Sequence, residues 1–146
     1  MKNVFGNIIA RSFGGGVNLT AIEKELLELL PENLPPNIAK IIVQQIDLFN
    51  LVQREIDGRA LNFYRLQRGK IDIASIPKIK TKKIETKLLS IAFEIEGESR
   101  EFNATFTAID GFFFCMNFSD DLRQYKKKSK LKVVKISKSW KSELVP

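Results

Sequence analysis

The sequence predicts an α+β domain in which two N-terminal helices pack on a mostly antiparallel sheet of four to six strands. Three observations lead there. Apolar residues recur at helical spacing from Thr20 to about Ile56, the period switches to strict alternation after Arg59, and an Asp-Gly pair punctuates the alternating stretch.

Residues 1–18 carry Gly14-Gly15-Gly16 and predict a Gly-rich arm or a short helix, because consecutive glycines add backbone entropy that folding must remove. A phosphate-cradling loop would continue into Gly-Lys-Ser/Thr, and Val17-Asn18 follow instead. Thr20 is a good N-cap, and Glu23 three residues on completes a capping box. Ile22, Leu26, Leu27, Leu29 and Leu30 then form the buried stripe of a first helix that ends at Pro31. Pro35-Pro36 and Asn37 open a second. Ile38, Ile41, Ile42, Gln45, Ile46, Phe49 and Val52 keep helical spacing, which predicts a helix to about Ile56, stopped by Asp57-Gly58.

Arg59 to Leu66 reads as a strand with Leu61 and Phe63 on one face, while 67–87 is irregular and basic. Leu89, Ile91, Phe93 and Ile95 alternate with more polar neighbours, as do Phe102, Ala104, Phe106 and Ala108. Glu96-Gly97-Glu98-Ser99 supplies one turn and Asp110-Gly111, a favoured type I′ pair, the next. Phe112 to Phe118 completes a three-stranded meander, and Leu131 to Ile136 offers one more strand among lysines. Neither a repeat nor a long linker divides residues 1–146, so one domain is expected, ending in a basic segment over 123–146.

A hydrophobic fraction of 44% is too high for a disordered chain, and eleven Phe favour a packed interior. No apolar stretch approaches the roughly 20 residues of a spanning helix, and Val4–Ala10, broken by Gly6 and Asn7, makes a poor signal sequence. Cys115 has no second cysteine to pair with and sits in an apolar run, which predicts a buried, inert thiol. These features lead to the expectation of a cytoplasmic protein without membrane partners.

The formal charge of +7 is unevenly placed, running −2 over 1–58, +7 over 59–87, −6 over 88–122 and +8 over 123–146. Patches of one sign steer charged partners within about a Debye length, ~8–10 Å at physiological salt. Glu94, Glu96, Glu98 and Glu101 gather around one predicted turn, either as the wet face of a hairpin or as a surface for a cation or a basic partner. Lys126, Lys127, Lys128 and Lys130, with Tyr125 and Trp140 nearby, suit phosphates and stacked bases. Lysines on an edge strand also discourage edge-to-edge aggregation, and the tail has only Arg123 for bidentate contacts.

The chain contains no histidine, which removes the usual general base, the commonest metal ligand and the standard partner of a Ser or Cys nucleophile. No catalytic residue, metal or cofactor is therefore expected. One carboxylate pattern, Asp72 followed by Glu85-Thr86-Lys87, is similar to the Asp…Glu-x-Lys signature of restriction-type nucleases, which hold Mg²⁺ on two acids beside a lysine. The late meander departs from that family's layout, and Glu-x-Lys arises readily by chance in a chain this rich in both residues.

Ile22-Glu23-Lys24-Glu25-Leu26 through Leu30-Pro31-Glu32-Asn33-Leu34-Pro35 resembles the helix-plus-Leu-Pro opening of the SUKH superfamily of bacterial toxin-immunity proteins. Asp110-Gly111-Phe112-Phe113-Phe114 into Phe118-Ser119 resembles strand pairs of small immunity proteins. Phe49-Asn50-Leu51 stands where that family usually carries Asn-Gly, and the basic charge departs from the acidic inhibitors of basic nucleases. The resemblance implies a non-catalytic inhibitor that covers a toxin domain. The sequence thus leads to a protein-binding module, with nucleic-acid binding and a metal-dependent nuclease as alternatives.

Overall fold

The computed structural model describes residues 19–67, 70–71, 76–125 and 130–145, with the side chains of 66, 67, 70 and 71 outside the description. The Gly-rich segment 1–18 therefore lies outside the described residues. Helix α1 spans Ala21–Glu32 and begins in the expected capping box: the Glu23 N–H donates to the Thr20 hydroxyl, and the Thr20 N–H donates to the Glu23 carboxylate at 2.8 Å. Pro31 sits inside its last turn. Helix α2 spans Pro36–Leu48 with proline in its first turn, where a missing N–H costs nothing.

The helix does not continue to Ile56: Phe49 turns extended, and Leu51–Arg54 forms strand β1. The apolar spacing misleads because Phe49 and Val52 are both buried, but against the sheet. Val52 pairs with Phe63 across β1–β2, and the Phe49 and Phe63 rings lie 6.0 Å apart. Strand pairing overrides a periodicity that two residues happened to prolong.

Strand β2 covers Ala60–Tyr64, and two short strands, β3 (Leu66–Gln67) and β4 (Lys70–Ile71), form a separate ribbon. Strands β5 (Glu85–Ile95), β6 (Glu101–Ile109) and β7 (Phe112–Phe118) make the expected meander, and β8 (Leu131–Ser137) returns beside β5. The main sheet has six strands in the order β1-β2-β7-β6-β5-β8, every pairing antiparallel. The α+β arrangement is thus the one the alternation predicts. Asp110 at φ 50° and Gly111 at φ 84° occupy the two left-handed positions of a type I′ turn.

One face of the sheet and both helices enclose the core. Ile22, Leu26, Leu27, Leu30, Ile42 and Ile46 meet Leu61, Phe63, Phe93, Phe106 and Phe113, all essentially inaccessible. The intervening positions, such as Gln53, Asn103 and Asn117, are exposed, which is the usual economy of an antiparallel sheet with one wet face.

Gln45 fixes how the second helix seats on this sheet. Its side chain is fully buried; Nε2 donates to the carbonyls of Pro77 (2.7 Å) and Gly111 (2.9 Å), and Oε1 accepts from the Phe113 N–H (2.8 Å). The β2–β7 pairing stops at Asn62–Cys115, so Phe113 has no strand partner on that side and the amide takes its place.

Candidate partner-binding surface

Strand direction puts the β1–β2 turn (55–59), the β5–β6 turn (96–100), the end of β7 and the start of β8 along one rim of the sheet. The acidic cluster read from the sequence lies here. Glu94 on β5 stands opposite Glu101 on β6 and Lys132 on β8. Glu94, Glu96 and Glu98 line an open recess of about 410 Å³ with Lys130 and Lys132. Charge therefore alternates across this corner, and a bare acidic patch does not form.

Two of the residues expected at a site, Glu98 and Tyr125, are joined here by Arg100, Asp120, Asp121 and Arg123, which the sequence did not single out as a site. Arg100 donates to Asp120 at 3.0 Å and to the Tyr125 hydroxyl at 3.3 Å, and that hydroxyl donates to Glu98 at 3.2 Å. The guanidinium also lies 4.5 Å from the Phe102 ring centroid. The hydrogen bond from Arg100 holds the Asp120 carboxyl below the usual range. Farther along, Arg123 grips Asp121 through both carboxylate oxygens and donates to the Ile56 carbonyl at 3.1 Å. Those contacts lower the Asp121 carboxyl to about 2.

Gly58 permits this closure. At φ 71°, a Cβ would stand 2.2 Å from the Asp121 carboxylate oxygen. The turn so clamped carries Ile56, whose side chain is 96% exposed, beside an open recess of about 560 Å³ lined by Glu55, Asp57, Arg59 and Phe118. The only sequence signal for this arrangement was the Asp57-Gly58 pair.

Of the tail residues, Lys126, Lys127 and Lys128 lie outside the described residues. Lys130 is exposed at the rim. Tyr125 is buried, packed edge-on against Phe102 at 5.5 Å, so its ring is a support of the rim and not an open stacking platform. Trp140, half-buried at the start of the short helix α3 (Trp140–Glu143), lies at the opposite end and donates its indole N–H to the Asn33 carbonyl at 2.8 Å.

Cys115 is buried on the sheet, and burial pushes its thiol up to about 11, so it holds little thiolate at neutral pH. Asp72 lies outside the described residues; Glu85 and Lys87 are exposed at the start of β5. Among the described residues no group of three His, Cys, Asp or Glu side chains converges as a metal site, and no helix is long and apolar enough to cross a membrane. No protein-family model, curated protein or solved structure matches the chain.

Proposed function

We propose that this chain is a non-catalytic protein-binding module of the toxin-immunity type, and that the rim around Ile56 and Glu98 is its contact surface. The observation that carries the reading is the exposed Ile56 on a turn fixed by Arg123, Asp121 and Gly58. An apolar anchor on a backbone already held in place spares the cost of ordering the turn on binding, and the mixed charges around it give register and exclude wrong partners. An inhibitor needs no reactive group, which agrees with a chain that lacks histidine and keeps its thiol inside.

The nucleic-acid reading draws on exposed Lys130, Lys132 and Lys135, but its two aromatics are engaged within the fold. The nuclease reading gains no converging acids among the described residues. Co-expression with a toxin domain, sought in the gene immediately upstream, tests the proposal. Rescue of growth and co-purification are expected, and Ile56→Asp is expected to weaken both. Loss of viability despite abundant folded protein, with no complex recovered, ends the inhibitor reading.

A further inference from the structure

The opposite end of the sheet brings together two basic segments far apart in sequence. Residues 78–83 run alongside the C-terminal segment: the Lys82 N–H donates to the Glu143 carbonyl at 3.0 Å, the Val145 N–H to the Lys80 carbonyl at 3.2 Å, and Thr81 bridges Leu144. Ile79 points inward and is buried, whereas Lys78, Lys80, Lys82 and Lys83 are exposed, as are Lys138 and Lys141 on the neighbouring segment. Lys78 meets Asp110 at 3.4 Å and Lys83 meets Glu143 at 3.0 Å. Lys80, Lys82, Lys138 and Lys141 pair with no carboxylate among the described residues. Two apolar side chains emerge at the same end, Ile84 at 73% exposure and Val145 at 43%. Exposed Glu85 follows Ile84, and exposed Glu32 precedes Asn33, whose carbonyl accepts from Trp140, so two further acids stand at the border of this patch.

We infer that this lysine pole is a docking surface for an anionic lipid headgroup layer. Six lysines and no arginine give diffuse attraction without the rigid fork that reads a base or a carboxylate. Lysine is depleted at protein interfaces, and the aromatic at this end, Trp140, is half-buried, its indole N–H held by Asn33 and its ring 5.9 Å from the Lys141 ammonium, so it is engaged within the fold. A headgroup layer answers both halves of the patch: its negative charges meet the ammonium groups, and its acyl boundary receives Ile84 and Val145. The inference is independent of the protein-inhibitor reading, and it departs from the sequence expectation of no membrane partner, which excludes only a spanning helix.

Vesicle sedimentation tests it with the full chain, using phosphatidylcholine alone and phosphatidylcholine containing about one-third phosphatidylserine. Binding is expected to the anionic vesicles only, and to fall with salt. Each unpaired lysine is worth about five-fold in partitioning, so Lys80→Gln with Lys82→Gln is expected to reduce binding about 25-fold. Ile84→Ser is expected to reduce it about five- to ten-fold with no change in charge. All three side chains are exposed and the local hydrogen bonds use backbone atoms, so the variants keep the fold. No binding to anionic vesicles, equal binding to neutral ones, or indifference to Ile84→Ser overturns the inference. Retention on a mixed-sequence duplex DNA without vesicle binding also overturns it and assigns the pole to nucleic acid.

Discussion

Replacing Gln45 by Met tests the seating of the second helix on the sheet. The substitution keeps the volume and the helix propensity but removes three hydrogen bonds. Their loss is not uniform. The Gly111 carbonyl retains a second donor, the Ile79 N–H at 3.0 Å. The Phe113 N–H is buried and keeps no partner, whereas the carbonyl of exposed Pro77 can turn to water. The orphaned Phe113 N–H costs about 1–3 kcal/mol and the lost part-buried bond to Pro77 about 0.5–1.5 kcal/mol, so the expected destabilisation is about 1.5–4.5 kcal/mol. That is a large share of the roughly 5–15 kcal/mol that holds a domain together. In a chain of this length it corresponds to a fall in Tm of about 5–20 °C. Urea and thermal denaturation followed by circular dichroism measure it. Gln44→Met, one residue away and exposed, is the control, expected within about 0.5 kcal/mol of wild type. Equal stabilities for the two variants would refute the argument that the Gln45 amide replaces a missing strand partner.

Other outcomes follow from the same geometry. Glu23 is buried while it both caps α1 and pairs with Arg54, so Glu23→Ala is expected to cost about 3–5 kcal/mol by equilibrium unfolding. Asp121 should titrate near 2 by NMR and move toward the ordinary value of ~3.9 in Arg123→Ala. Its folded pKa lies below the unfolded one, so its contribution is present above pH ~4 and is lost as pH falls toward 2. A midpoint unchanged by the arginine substitution would remove the grip described here. The Cys115 thiol should resist alkylation at pH 8 and gain reactivity only toward pH 11. Because its folded pKa is raised, the unfolded chain ionises first, and stability should fall as pH climbs from ~8.5 toward 11. Rapid labelling of the native protein at pH 8 would show that the thiol is open.

Features whose partners lie close in sequence were legible. Thr20 and Glu23 close a capping box over three residues, and Asp110-Gly111 has little choice of turn. The alternation of β5, β6 and β7 gave each strand and its buried side because period two has one solution when one face is covered. Gln45 was readable as a core position from its helical spacing, but not as the amide that completes β7.

Features set by distant partners stayed hidden. Leu51–Arg54 reads as helix until Phe63 is known to lie opposite Val52. Tyr125 and Trp140 look like open aromatics until Glu98 and Asn33 are found beside them. The acidic cluster lies at one turn as its sequence spacing implies, yet Lys132, more than thirty positions on, enters it across the β5–β8 pairing. The lysine pole divides between 78–83 and 138–141, so no window of sequence contains it.

Calorimetric titration of a toxin domain, sought in the gene immediately upstream, into the purified chain tests the central claim most directly, because it asks whether the clamped rim binds. Saturable one-to-one binding is predicted, weakened at least about ten-fold by Ile56→Asp and by Glu98→Lys while both variants stay folded. Binding of equal strength in both variants, or no binding alongside measurable turnover of a substrate by the chain alone, would contradict the account.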